Sequence, residues 1–163
     1  MTEYGLASVN SSPIFTVLVT PEVAGTSRWL APEIINPSRG NNGMLVLEVK
    51  PADVFAFAML AVEIFTDKVP FEELKNEAVV PWILEGGRPK MPESARAVGL
   101  TGEMWQLLES CWRHNPETRP NMEEVVRRWQ KFGEHNGGDD LTAECVQIAI
   151  TSYLAFDFIL NLL

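Results

Sequence analysis

The sequence predicts a mainly α-helical domain, because three segments have helical character. Between Ala52 and Phe65 only Asp53 and Glu63 are charged, and apolar side chains fall on every side of a helical wheel. A helix that is apolar all round is either buried or crosses a membrane. These 14 residues are too few to cross a bilayer. We therefore predict that this segment is the central core helix.

Two later segments place their apolar residues on one face of a helix, as in helices that pack against a core. The first contains Met104, Trp105, Leu108, Cys111 and Trp112, and the second contains Met122, Val125, Val126 and Trp129. Thr101 is the predicted N-cap of the first segment. Asn121, three residues before Glu124, is close to a capping-box arrangement for the second.

A weaker helix is predicted from Glu72 to Glu85, interrupted or bent near Pro81. Two stretches rich in Ser, Asn, Gly and Pro, residues 8–24 and 36–43, predict loops.

Composition restricts the class of protein. A chain of 163 residues suits one domain, and the hydrophobic fraction of 46% is ordinary for a globular protein. The net charge of −9 argues against nucleic-acid binding, which needs clustered Lys and Arg. Two cysteines, Cys111 and Cys145, form neither a disulfide framework nor a metal-ligand spacing. Without a signal-peptide pattern at the N-terminus, we expect a cytoplasmic location.

The most informative motif is Gly-Thr-Ser-Arg-Trp-Leu-Ala-Pro-Glu at residues 25–33. It resembles the end of a protein kinase activation segment. The motifs that follow occur in the order of that family, and they are Asp53-Val54-Phe55, Pro70-Phe71, Gly87-Arg88-Pro89 and Cys111-Trp112…Pro116…Arg119-Pro120. The Gly-Thr-x-Arg-Trp form resembles Ser/Thr-directed members of the tyrosine-kinase-like branch more than true tyrosine kinases, and the Cys-Trp pair also fits that branch.

The resemblance implies the C-terminal, or lower, lobe of a protein kinase, lacking the N-terminal β-lobe. The sequence contains no Gly-rich loop, no strand lysine and no His-Arg-Asp catalytic loop. The predicted organisation is a partial kinase domain over residues 1–132, with the activation segment at 1–33 and the helical lobe at 34–132. An acidic linker at 133–140 and an apolar tail at 141–163 follow.

The resemblance also assigns roles to individual residues. The substrate-docking turn would consist of Gly25, Thr26, Arg28 and Trp29. In the Ala-Pro-Glu motif, Ala31 and Pro32 precede Glu33, which would form a buried salt bridge with Arg119. The family uses the residue at Asp53 to accept hydrogen bonds from the catalytic loop. From the residues alone, we predict that Asp53 is an N-cap or a first-turn carboxylate of the core helix, with capping as its main role.

Glu3-Tyr4-Gly5 resembles the Asp-Phe-Gly motif, whose Asp holds Mg²⁺ in kinases. Glu3 is thus a candidate metal ligand. One extra methylene displaces its carboxylate from a site with near-ideal octahedral geometry. The alternative is that Glu3 is an ordinary solvated residue.

The tail falls outside the resemblance. Of residues 141–163, only Glu144 and Asp157 are charged. Three interpretations stay open: a packing or partner-binding helix, a translated intron sequence, and a membrane anchor near the minimum spanning length.

Two classes of function follow. In the first, the chain is a fragment of a protein kinase that transfers phosphoryl groups from ATP-Mg²⁺ to protein Ser or Thr, and is catalytically incompetent alone. In the second, it is a pseudokinase-like interaction module or a truncated gene product. Either class implies a protein substrate or protein partner. We expect that this chain itself binds neither ATP nor Mg²⁺.

Overall fold

The structure, a computed structural model, describes residues 26–37, 49–97 and 99–135. These residues are mainly helical and include no β-strand, which confirms the predicted fold class. The helices are α1 (Pro32–Ile35), α2 (Val49–Thr66), α3 (Asn76–Leu84), α4 (Glu93–Ala97), α5 (Gly102–Cys111) and α6 (Met122–His135). Within the same ranges, two 3₁₀-helices accompany them, at Ser27–Trp29 and Pro116–Thr118.

Several predictions concern residues outside these ranges. They are the candidate metal ligand Glu3, the docking-turn residue Gly25, the loop at residues 8–24, most of the loop at 36–43, and the apolar tail at 141–163. Helix α6 continues to His135, so the first three residues of the predicted linker are helical.

Helix α2 is the centre of the hydrophobic core, as its apolar pattern predicts. Six of its side chains are no more than 5% exposed, namely Val54, Phe55, Ala58, Met59, Ala61 and Val62. The helix packs against α4, α5 and both 3₁₀-helices. Because α2 has neighbours on several sides, an apolar residue is favourable at most of its positions.

The start of α2 corrects the prediction for Asp53. The helix begins at Val49, so Asp53 is its fifth residue and does not cap it. Pro51 is compatible with the first turn of α2. Backbone N–H groups in the first turn have no intrahelical acceptor, so the missing N–H of a proline costs no hydrogen bond there. Asp53 lies half-buried in the second turn.

Helices α5 and α6 begin as predicted. The Thr101 side chain accepts a hydrogen bond from the backbone N–H of Met104 at 3.2 Å. The Asn121 side chain accepts one from the N–H of Glu124 at 2.8 Å. The Glu124 carboxylate pairs with Arg127, so the second half of a capping box is not formed here.

Aromatic contacts join α6 to α2, and a further aromatic pair lies within α5 and its C-cap. Trp129 of α6 packs edge-on against Phe57, with ring centroids 5.8 Å apart, and lies 6.1 Å from Phe65. Trp105 of α5 packs edge-on against Trp112 at 5.3 Å. Edge-to-face packing of this kind adds to the free energy from burial alone. Trp129 therefore helps to position α6 against α2, whereas the Trp105–Trp112 contact stabilises the end of α5.

The helix predicted from Glu72 to Glu85 is shorter than expected. Residues up to Lys75 form turns, and Phe71 has a φ of 58°, which is incompatible with a right-handed helix. Pro81 lies inside α3 without ending it. The helix ends at Leu84. Gly86, which follows the C-cap residue Glu85, has a φ of 90°, and the N–H of Gly87 donates to the Trp82 carbonyl at 2.8 Å. This is the Schellman arrangement, in which glycine adopts the left-handed conformation.

None of the helices in the described part of the chain combines the length and the hydropathy that a membrane span requires.

The position of Leu108 in the core leads to a first prediction. Its side chain is 0% exposed on the inner face of α5. Replacing Leu108 with Ala should lower the free energy of unfolding by about 2–5 kcal/mol, because the substitution leaves a cavity. Urea denaturation followed by circular dichroism measures this change. Gln106→Ala, at an exposed position of the same helix, is the control and should change stability by less than about 0.5 kcal/mol. Equal effects of the two substitutions would contradict the assigned faces of α5.

Candidate docking turn and its arginine contacts

The predicted docking turn is held in place by Arg28, whose side chain is buried. The residue belongs to the 3₁₀-helix Ser27–Trp29. Its guanidinium donates hydrogen bonds to three carbonyls and one side-chain amide: Pro70 O at 2.7 Å, Phe71 O at 2.5 Å, Leu74 O at 2.9 Å and Asn76 Oδ1 at 2.8 Å. The docking turn is thereby fixed to the connection between α2 and α3.

This set of contacts explains the conformation of that connection. Its carbonyls turn inward toward one cation, and Phe71 adopts a positive φ that is unusual for a bulky residue. A buried guanidinium needs several acceptors to replace its lost hydration. The four acceptors from residues 70–76 meet that need.

Trp29 provides a second attachment. Its indole Nε1 donates to the Glu63 carboxylate at 3.0 Å, which joins the docking turn to α2. Thr26 lies exposed at the start of the turn and Ser27 is buried behind it. The turn therefore presents Thr26 outward, while the side chains of Arg28 and Trp29 are hydrogen-bonded to the rest of the lobe.

Glu33 and Arg119 lie together, in the geometry that the family resemblance implies. Arg119 Nη1 lies 2.6 Å from Glu33 Oε1, and Nη2 lies 2.9 Å from Oε2, which is a bidentate pair. The arginine side chain is 0% exposed and that of Glu33 is 13% exposed. Arg119 also donates to the carbonyls of Pro51 and Arg113, both at 2.8 Å. Ala31 and Pro32 are buried beside this pair.

Phe55 and Arg88 form a part of the site for which sequence analysis gave no role. The Phe55 ring lies between two guanidinium groups, 5.1 Å from that of Arg88 and 5.2 Å from that of Arg119. Such contacts stabilise a cation by attraction to the ring face. Arg88 also donates to the carbonyl of Trp112 at 2.6 Å. The Gly-Arg-Pro motif marked Arg88, but pairing with Phe55 depends on two segments 33 residues apart.

Burial is the main cause of a lowered pKa at Arg88, and the neighbouring charge of Arg119 adds to it. Glu33 opposes this effect, and the pKa is about 10. Arg88 therefore stays protonated at neutral pH, and two like charges lie on the two sides of one aromatic ring. The single charge of the Glu33 carboxylate offsets part of this repulsion.

No metal site is found in the part of the chain that the structure describes, where no three His, Cys, Asp or Glu side chains converge. Glu3 and Gly25 lie outside that part. The residues that are brought together anchor the candidate docking turn to the rest of the lobe.

Comparison with known proteins now identifies the class. Residues 3–129 match the family model described as protein tyrosine and serine/threonine kinase. The chain belongs to this protein kinase family, and its serine/threonine kinase relatives support a tyrosine-kinase-like member. The helical architecture is that of the C-terminal lobe.

Three relatives illustrate the similarity. The serine/threonine-protein kinase STY17 of Arabidopsis thaliana is 31% identical over 143 residues, covering 85% of this chain and 21% of the relative. Putative serine/threonine-protein kinase/receptor R831 of Acanthamoeba polyphaga mimivirus is 38% identical over 104 residues. The match covers 64% of this chain and 6% of the relative. Atrial natriuretic peptide receptor 2 of Rattus norvegicus is 28% identical over 160 residues. The match covers 91% of this chain and 14% of the relative. The chain therefore spans only about a fifth or less of these relatives.

The buried ion pair leads to a second prediction. Replacing Arg119 with Ala should lower the free energy of unfolding by about 3–5 kcal/mol, because Glu33 is then left without its partner in a largely buried position. Chemical denaturation measures the loss. Arg127→Ala is the matched control, because Arg127 pairs with Glu124 while its side chain is 59% exposed. An exposed ion pair contributes little to the free energy of unfolding, so Arg127→Ala should shift the unfolding midpoint only slightly. Wild-type stability in Arg119→Ala would refute the buried pair.

A third prediction concerns Arg28. Arg28→Lys keeps the positive charge but cannot satisfy four acceptors in a planar arrangement. We expect faster amide hydrogen exchange in residues 67–76, with little change in α5. Hydrogen exchange followed by mass spectrometry measures both regions in one experiment. Unchanged exchange in residues 67–76 would show that Arg28 does not hold this connection.

Proposed function

We propose that this chain is the substrate-docking lower lobe of a protein kinase directed to Ser and Thr, and that its 163 residues do not catalyse phosphoryl transfer by themselves. The observation that carries the proposal is the attachment of the docking turn by Arg28 and Trp29 to the core. A rigid turn with Thr26 on its exposed side suits the recognition of a protein segment that carries a hydroxyl group.

The proposed lack of catalysis rests on the residues that phosphoryl transfer requires. A strand lysine, Mg²⁺ ligands and a catalytic-loop Asp position the phosphates and the attacking hydroxyl. Of these, the sequence offers only Glu3 as a candidate ligand. ATP and Mg²⁺ belong to the activity of the family. When bound in an intact kinase domain, the nucleotide supplies the transferred phosphoryl group.

In such a domain, the residues of this chain would bind and orient. Arg28 and Trp29 would keep the docking turn in register with α2, and the Glu33–Arg119 pair would fix the end of the activation segment to the lobe. The Thr26 hydroxyl would help to place the substrate hydroxyl, as the resemblance implies. We propose a cytoplasmic location, on the basis of the cysteine content.

A second candidate function, a pseudokinase-like interaction module, is favoured by Trp82. This side chain is 43% exposed on α3, and a Cβ added at Gly87 would overlap its indole ring. The indole is thus held flat over the backbone. Exposed, pre-ordered tryptophans are common anchors of protein interfaces. Under this proposal, the chain binds a protein partner through α3 without any transfer reaction.

A chimeric kinase tests the first proposal. Residues 26–129 of this chain would replace the aligned segment of the kinase domain of STY17, and phosphorylation of Ser, Thr and Tyr peptides would be measured. We expect activity on Ser and Thr peptides. Thr26→Val in the chimera should lower kcat by roughly 10- to 100-fold through loss of one hydrogen bond to a charged group, and Thr26→Ser should restore it. A chimera that folds but phosphorylates only Tyr, or nothing, would contradict the docking role.

A nucleotide titration tests the lack of catalysis. We expect that the purified chain shows no saturable binding of ATP-Mg²⁺ at micromolar concentrations by calorimetry, since the residues that hold the phosphates are missing. The intact STY17 kinase domain serves as the positive control. Micromolar affinity in this chain would refute the proposal.

A further inference from the structure

Helix α3 has a buried inner face and an exposed outer face. The helix packs against α1 and the 3₁₀-helix Ser27–Trp29, and the inner residues Val79 and Ile83 are 0% exposed. We call the opposite side the outer α3 face. It consists of five exposed residues of α3 and its C-cap, namely Glu77, Ala78, Pro81, Trp82 and Glu85. Three of these residues are apolar and two carry carboxylates.

The Trp82 indole has a fixed orientation on this face. A Cβ added at Gly87 would lie 2.1 Å from its Nε1, 2.3 Å from Cδ1 and 2.4 Å from Cε2. Because these three distances are nearly equal, Gly87 lies against a face of the five-membered ring and not at its edge. No cation of the described residues lies over the ring. A side chain that is already ordered loses little conformational entropy on binding, so Trp82 is suited to contact a ligand.

The outer α3 face is negatively charged. Residues 72–85 contain four Glu and one Lys. Glu72, at one end of this stretch, pairs with Lys68. The outer-face carboxylates of Glu77 and Glu85 form no ion pair with any residue that the structure describes. Apolar residues and unneutralised carboxylates therefore share one surface.

The position of Glu85 is a second reason to expect a cation here. Glu85 is the C-cap residue of α3 and lies three residues after Trp82, so the two side chains are neighbours on the helix surface. The C-terminus of a helix carries a partial negative charge, which makes a carboxylate there unfavourable and a cation favourable. The face of an indole ring also attracts cations. The carboxylate, the helix end and the ring thus favour the same ligand, a Lys or Arg side chain.

Arginine fits this surface better than lysine. Its planar guanidinium stacks on an aromatic ring and binds a carboxylate through two parallel hydrogen bonds. Glu77 and Glu85 are eight residues apart, which is about 12 Å along the helix axis. An extended segment covers that distance in about four residues.

We propose that the outer α3 face binds an extended basic segment of a partner protein, with one Arg on Trp82 and Glu85 and a second Arg, about four residues away, on Glu77. This inference rests on the second function proposed above, the binding of a protein partner through α3, and it assigns the chemistry of that partner. The other possible occupants are a neutral apolar segment and a second copy of this chain. The net charge of −9 opposes self-association and favours a basic partner.

A nuclear magnetic resonance titration of the isotope-labelled full chain tests the proposal. The probe is a short peptide of Gly and Ser that carries two Arg four positions apart, added at physiological ionic strength. Matched peptides carry Lys, Leu or Glu at the same two positions. The indole N–H signal of Trp82, assigned by its loss in Trp82→Leu, reports contact with the outer α3 face.

We expect a saturable shift of this signal with the Arg peptide, a weaker one with the Lys peptide and none with the other two. Glu85→Gln should raise the Kd of the Arg peptide roughly two- to fivefold, because one exposed ion pair is lost. Trp82→Leu keeps an apolar side chain and should raise the Kd roughly three- to fivefold, as read from the backbone signals of α3. Glu103→Gln is the matched control, since it removes the same charge from an exposed position of α5 and should leave the Kd unchanged. The backbone spectrum verifies that each variant folds.

Four results would overturn the proposal. If Glu103→Gln weakens binding as much as Glu85→Gln, or Trp82→Leu not at all, the peptide is attracted only by the overall charge of the chain. A Trp82 shift with the Leu peptide but not with the Arg peptide would retain the second proposed function and assign it an apolar partner. A shift that depends on the concentration of the chain alone would assign the face to a second copy. No shift with any peptide would refute this inference and remove the support of Trp82 for the second proposed function.

Discussion

The architecture of this lobe depends on the burial of arginine side chains against backbone carbonyls. Arg119 joins Glu33 of α1, the first turn of α2 through Pro51 and the segment before the second 3₁₀-helix through Arg113. These three regions are far apart in sequence and do not share a sheet or a long helix. A planar group with five donors can connect all of them at one point. Removing that group affects every one of these regions.

Arg28 is likewise a buried arginine that donates to backbone carbonyls, here at the candidate docking turn, which we call the front of the lobe together with the α2–α3 connection. Its four acceptors come from one short connection, so the docking turn and the α2–α3 connection form one unit. Phe55 adds a ring between Arg88 and Arg119, which extends the cationic contacts into the core. The front of the lobe is therefore rigid because of polar contacts, whereas α2, α5 and α6 are held by apolar ones.

Sequence analysis could predict those features that depend on neighbouring residues or on a strong motif. The apolar pattern of α2, the Thr101 cap of α5 and the Asn121 cap of α6 are local signals, and the structure contains all three. The Glu33–Arg119 contact joins residues 86 positions apart. Only resemblance to a known family could connect them.

The remaining features depend on tertiary contacts that no local signal shows. The start of α3 is delayed to Asn76 because Arg28 draws the carbonyls of residues 70–74 inward. Asp53 lies one turn inside α2, since Pro51 is compatible with the first turn and the helix begins before it. The aromatic contact between Phe55 and Arg88 likewise depends on how α2 and the Gly-Arg-Pro motif meet.

The most direct measurement of the role of the buried ion pair is a double-mutant cycle with Glu33→Ala and Arg119→Ala. We predict a coupling free energy of about 2 kcal/mol or more, as expected for a bidentate pair that shares one buried network. A coupling energy near zero would contradict the central role of this ion pair.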